Sequence, residues 1–125
     1  MDAPIPPSTD GPHVPVSFSL GLYRCVRDPA LYMRLLMRFL TTRLTMPQDI
    51  HRLWSQGEQE EARRVVHSAI SSLGTIGALP LADVARALHV AMSSDPAGVP
   101  AQLDAFTREH ALAVAAIRQY VERQG

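Results

Sequence analysis

The sequence predicts an all-α fold, and three observations carry the prediction. Apolar residues recur at helical spacing from Val16 to Val121. Proline and glycine stand between these stretches, where they open and close helices. No alternating run of β-branched residues of strand length interrupts them. Short connections between long amphipathic helices favour antiparallel neighbours. The expected architecture is therefore an up-down antiparallel four-helix bundle of the four longest helices, with additional short N-terminal helices.

The first fifteen residues hold five of the ten prolines, Pro4, Pro6, Pro7, Pro12 and Pro15. Lacking amide donors, they cannot keep a regular ladder, so 1–15 reads as a flexible tether and 16–125 as the helical domain. A short helix is expected over about Ser17 to Val26. Asp28 then caps a second helix, with Pro29 in its first turn, running to about Leu44. Pro47 opens a third, with Ile50, Leu53 and Trp54 facing inward, and Gly57 ends it. Glu58, Glu60 and Glu61 crowd the start of a fourth, where the positive end of the helix dipole favours carboxylates. That helix reaches Ile76 and is closed by Gly77. Pro80 opens a fifth helix to about Met92, Ser93 to Gly98 form a linker, and Pro100 starts the last. Leu103, Phe106, Val114, Ile117 and Val121 make its stripe.

The bulk numbers narrow the function. A chain of 125 residues, 46% of them hydrophobic, is the size of one domain with one core. Twelve basic and twelve acidic residues leave a net charge of +0, so no overall field favours nucleic acid or an anionic membrane. Every basic residue is an arginine, which removes lysine from any site. The most apolar stretch, Ala30 to Leu40, is broken by Arg34 and Arg38 and is too short to cross a bilayer, so no membrane insertion is expected. One cysteine, Cys25, cannot close an intramolecular disulfide, and no leader-like pattern begins the chain; both point to the cytoplasm.

The fourth helix carries the candidate chemistry. At about 100° per residue, Ala62, Val65, Val66, Ala69, Leu73 and Ile76 share one apolar stripe, and His67 lies roughly 140° from its centre. Ser71 and Gly74 follow His67 one and two turns later on the same face. Ser68, Ser71, Ser72 and Gly74 are mediocre or poor helix formers, and the glycine alone costs about 1 kcal/mol relative to alanine. Small side chains around an exposed imidazole let another protein surface come close to the ring. In-line phosphoryl transfer needs such access, and imidazole offers a free nucleophilic nitrogen near neutral pH.

The run from His67 to Leu81 resembles the signature of histidine-containing phosphotransfer domains. His67, Ile76-Gly77-Ala78 and Leu81 match that signature without a gap. Arg27-Asp28 with Leu31-Tyr32, Leu35-Leu36 and Phe39 is similar to the family's second-helix opening. Gly57-Glu58 sits where a Gly-Asp pair precedes the histidine helix, and Ala85, Ala87 and Leu88 fit the next helix, where His89 replaces the usual glutamate. The likeness covers about Val16 to Val121. It implies a monomeric phosphocarrier that accepts a phosphoryl group on His67 from a response-regulator receiver's phospho-aspartate and passes it to another receiver. The chain itself would hold no cofactor, and the Mg²⁺ would belong to the receiver. It would not be an enzyme in its own right, although it suits a hybrid sensor kinase as well as a free-standing protein.

Two positions depart from the pattern. Ile70 stands at the family's lysine position and Ser71 at its glycine position, so the usual cation beside the phosphoryl group is absent. Arg63 and Arg64, one turn before His67, are expected to supply positive charge instead. Together with Ser68, Ile70, Ser71 and Gly74 they make the expected docking and phosphoryl-support set. The alternative is a degenerate bundle that docks on a receiver without efficient transfer. A hydrolase or lyase using His67 as general base would need a second polar catalytic group, which its small neutral neighbours do not offer.

Other candidates are weaker. His89 and His110 fall beside apolar stripes and read as capped or partly buried core residues. His13 lies in the tether and His51 on a short helix, with no shared spacing. No set of three or four converging ligands suggests a metal. Cys25 carries no signature of an activated thiol, the serines are not in a nucleophile elbow, and no Gly-rich loop offers a phosphate cradle.

Overall fold

The computed structural model describes residues 14–124. The tether, apart from Val14 and Pro15, and His13 lie outside the described residues. Those described form six α-helices, α1 (Phe18–Arg24), α2 (Pro29–Thr42), α3 (Met46–Ser55), α4 (Gln59–Thr75), α5 (Leu79–Ser94) and α6 (Val99–Gln124), with a 3-10 turn over Pro96–Gly98. No strand occurs among the described residues.

The helix boundaries follow the expected chemistry. Ser17 caps α1 by accepting from the amide of Leu20, and the Asp28 carboxylate caps α2 by accepting from Ala30 and Leu31. These bonds satisfy amides that have no partner inside the helix. Between the two helices, Val26 and Arg27 take left-handed backbone angles, φ 49° and 57°. That conformation is unfavourable for a β-branched residue, and the turn is held by hydrogen bonds from the Arg27 amide to Leu22 and the Asp28 amide to Cys25. Gly57, φ 79°, ends the α3 turn.

The core faces agree with the apolar stripes, with local differences. On α4, Ala62, Val66, Ala69 and Leu73 are fully buried, while Val65 is half-buried at the stripe's edge. Full burial of a side chain such as Val66 or Leu73 contributes roughly 1.5–3 kcal/mol. This inner face, and not the propensity of the Ser-rich outer face, holds the helix. On α3, Ile50 is buried, but Leu53 and Trp54 are only half-buried; Met46 and Pro47 at the helix start take the inner positions instead. Val121 on α6 is likewise half-buried, while Phe106, Ala113 and Ile117 are buried.

Helix packing is cyclic: α3 lies on α4, α4 on α5, α5 on α6, and α6 returns to α3. The shorter α3 therefore occupies a place in this ring where helix length alone pointed to α2. α2 packs on α6 and α1 and stands away from α4, so a groove is left open between them.

α1 and α2 close the far end of α4. The Tyr32 hydroxyl donates to the Ile76 carbonyl at 2.7 Å, the Ser17 amide donates to the Gly77 carbonyl at 2.8 Å, and the Arg24 guanidinium donates to the Gly74 carbonyl. Gly77 has φ 89°, and a Cβ there would lie 2.2 Å from the Ser17 carbonyl oxygen. Gly21 meets the same crowding from the α1 side, since its Cβ would fall 2.4 Å from the Ile76 carbonyl oxygen. The Ile-Gly-Ala run of the sequence is thus the seat on which α1 sits.

Candidate functional site

His67 lies near the middle of α4 and is exposed. The hydroxyls near it fold back on their own helix. Ser68 donates to the Val65 carbonyl at 2.8 Å, Ser72 to Ala69 at 3.0 Å, and Thr75 to Ser71 at 3.0 Å. Such back-bonding satisfies the hydroxyls locally and keeps them low against the helix. Ser71 is exposed, so the ground beside the imidazole is both shallow and open.

The expected support set divides in the structure. His67, Ser68 and Ser71 share an exposed face of α4. Ile70 is half-buried and packs against the core. Gly74, expected on the docking face, is buried beneath α1, with Arg24 bonded to its carbonyl. The helical wheel placed it outward correctly, but α1 covers that part of the wheel. Gly74 therefore belongs to the α1 seat and not to a surface a partner can reach.

Both expected cations turn towards the start of α4. Arg63 pairs with Glu60 at 2.7 Å and Arg64 pairs with Glu61. Helical side chains lean in that N-terminal direction, which draws these two away from His67. Arg64 is largely exposed, at 74% of its side chain, whereas Arg63 is partly covered and its Nε is buried without a hydrogen-bond partner.

His89 of α5 is the neighbour that the sequence pattern did not bring to His67. The two rings lie 5.1 Å apart between centroids, tilted by 37°. Burial, then the adjacent His67 ring, then Arg63, push the His89 pKa below the usual histidine value. His110, read as a core residue, is one. It is 5% exposed, and its Nε2 donates to the Arg43 carbonyl at 2.8 Å. Burial lowers its pKa, and the bond to Arg43 partly offsets this.

On the other side of His67 runs the groove between α2 and α4. It has a volume of about 630 Å³. Leu35, Phe39 and Ile76 are among its apolar residues, Ser68, Ser71 and Ser72 line it from α4, and Arg38 and Arg43 from α2. Among the described residues no carboxylate lines it. Arg43 reaches Ser68 at 3.5 Å. Sequence reasoning did not single out Arg38 or Arg43. A signal was present nonetheless, because no Asp or Glu occurs from Pro29 to Gln48 or from Ala62 to Ala82.

Cys25 is buried, and burial followed by the charge of Asp28 raises its pKa, the reverse of an activated thiol. Among the described residues no group of three or more His, Cys, Asp or Glu side chains could hold a metal ion. No helix among them is long and apolar enough to cross a membrane. Compared with known proteins, the chain matches no family model, no curated protein and no solved structure.

Proposed function

We propose that the chain is a phosphocarrier of the histidine-containing phosphotransfer type, accepting a phosphoryl group on His67 from a receiver's phospho-aspartate and returning it to a second receiver. The observation that carries the reading is the setting of His67: an exposed imidazole at mid-helix, on a face kept low by Ser68 and Ser71. A nucleophile placed so can be approached in line, which is what transfer between two protein surfaces needs. We read the fold as an up-down antiparallel four-helix bundle in which α4, α5 and α6 form three walls and α3, with α2 beside it, the fourth.

In the transfer, one ring nitrogen of His67 attacks phosphorus, a P–N bond forms, and the P–O bond to the aspartyl carboxylate breaks. The carboxylate leaves with the electron pair. The receiver's Mg²⁺ would serve the departing side of the reaction. The groove beside His67, lined by Arg38 and Arg43 with no carboxylate among the described residues, suits the acidic rim that a metal-binding receiver presents. We assign receiver docking to this groove and to Ser68 and Ser71. The chain acts there as a monomer, in the cytoplasm.

Ile70 favours a second reading. It leaves no cation at that position and packs against the core, which fits a bundle that docks on a receiver without efficient transfer. One experiment separates the two. The chain is incubated with phosphorylated receivers and the product is tested for acid-labile, base-stable label. The first reading expects label on the wild type and none on His67→Gln. Undiminished label on His67→Gln rejects His67 as the acceptor, and receiver binding without label supports the docking module.

A further inference from the structure

On the outward side of α2, uncompensated cations and exposed apolar side chains coincide. Residues 14–48 hold five arginines, Arg24, Arg27, Arg34, Arg38 and Arg43, and one acid, Asp28, whose carboxylate is taken up in capping α2. Residues 49–124 hold seven arginines against nine acids, and there Arg52, Arg63, Arg64 and Arg86 each pair with an acid three positions earlier. Among the described residues none of the five arginines of 14–48 has such a partner. Arg24 and Arg43 are engaged with the Gly74 carbonyl and with Ser68. That leaves Arg27, whose guanidinium lies 5.7 Å from the centre of the Tyr23 ring, and the exposed Arg34 and Arg38. At helical spacing Ala30, Arg34, Met37 and Thr41 form the face of α2 opposite the buried Tyr32, Leu36 and Phe39, and Arg38 borders that face on the groove side. Met37 keeps 43% of its surface in water, Val26 at the turn before the helix 84%, and Leu44 just after it 38%.

We propose that this face adsorbs on an anionic lipid surface, with α2 lying along it and no segment crossing it. A guanidinium over a lipid phosphate makes charge-assisted hydrogen bonds, while Met37, Val26 and Leu44 reach the boundary between headgroups and acyl chains. Tyr23 beside Arg27 has the amphipathic character suited to that depth. Charge complementarity selects the occupant. The cations of 14–48 attract a negative surface at short range even though the chain as a whole is neutral. The apolar residues then decide between anionic partners. Nucleic acid gives exposed Met37, Val26 and Leu44 nothing to bury against, whereas a fluid lipid layer accepts them. A protein partner would need a fixed complement, and this face is a single helical ridge whose arginines no ion pair holds in place. The groove lies to one side of the ridge, and the inference does not depend on the phosphocarrier reading.

The test sediments the full chain with vesicles of phosphatidylcholine alone and with vesicles of equal parts phosphatidylcholine and phosphatidylglycerol. Binding is expected on the anionic vesicles only, and it should weaken as salt rises through about 0.1 M, where the screening length falls to about 10 Å. Arg34→Gln should lower the partition coefficient about fivefold, the effect of one arginine near such a surface. Met37→Gln should lower it at least about threefold through lost apolar burial. Arg118→Gln makes the same change of net charge at an exposed position of α6 and should stay within about twofold of wild type. All three are surface substitutions that leave the fold intact. Absence of vesicle binding, equal binding to neutral vesicles, or equal losses in Arg34→Gln and Arg118→Gln overturns the proposal. If wild type ignores the vesicles and Arg34→Gln instead weakens binding to a receiver, the face belongs to an acidic protein surface and the proposal fails. Vesicle binding without phosphohistidine at His67 sustains this inference while the phosphocarrier reading falls.

Discussion

Ser71 is exposed one turn beyond His67 and its side chain is the smallest that still carries a hydroxyl. Ser71→Trp should leave the melting temperature nearly unchanged, since surface substitutions of this kind shift stability by about 0.5 kcal/mol or less. Receiver-dependent labelling of His67 should fall at least tenfold, while labelling by a small phosphodonor stays within about twofold of wild type. Equal receiver rates would remove Ser71 from the docking face. The sequence placed His67, Ser68 and Ser71 outward correctly because helical periodicity alone decides it. It put Gly74 on the same face but could not show that α1 covers it, because periodicity says which way a residue points and not what lies over it. Arg43 and His89 escaped notice for a related reason. Each reaches the neighbourhood of His67 only through tertiary packing, from 24 and 22 positions away.

The seat of α1 on the end of α4 answers a general problem of helices. The last carbonyls of a helix have no partner within it and must find donors elsewhere. Here Arg24, Ser17 and Tyr32 supply them from two other elements. Tyr32→Phe keeps the ring's packing against Tyr120 but leaves the Ile76 carbonyl bare in a buried site. It should cost about 1–3 kcal/mol, read as a lower urea midpoint with an unchanged slope. A midpoint equal to that of wild type would mean that the bond is replaced by water at no cost. Element boundaries were readable because Asp28, Pro29, Gly57, Gly77 and Pro80 act locally. Why Gly77 and Gly21 must be glycine was not readable, since it depends on backbones 60 and 55 residues apart in sequence approaching within a Cβ's width.

The whole chain is neutral, yet its charges are segregated. The groove between α2 and α4 carries arginine and, among the described residues, no carboxylate, a separation that net charge conceals. Acid also acts on the molecule elsewhere, through His110, which joins α6 to the turn after α2. Its folded pKa lies below the usual 6.5, so the unfolded chain binds the proton more readily. Stability is fully present above about pH 6.5 and falls as pH drops through that value towards the folded pKa. Denaturant midpoints should therefore decline between pH 7.5 and 5.5, taken here as roughly one unit either side of an ordinary histidine pKa. His110→Gln should be less stable at the upper pH and should show a shallower decline. An equally steep decline in His110→Gln would assign the effect to other groups.

The closure of α4 by α1 also has a kinetic meaning. Helix ends ordinarily fray, and their amides exchange with solvent at low free-energy cost. In this protein the amides of Ser72 to Ile76 cannot be released singly, because the carbonyls beside them are held by Arg24, Tyr32 and Ser17. Opening that turn requires α1 to lift away. Hydrogen exchange should show the last turn of α4 and the amides of α1 opening as one cooperative unit. Gly77→Ala, which drives a methyl into the Ser17 carbonyl, should let the turn exchange fast while the middle of α4 around His67 stays protected. The nucleophile would then ride on a helix whose loose end has been tied off by the residues that precede it.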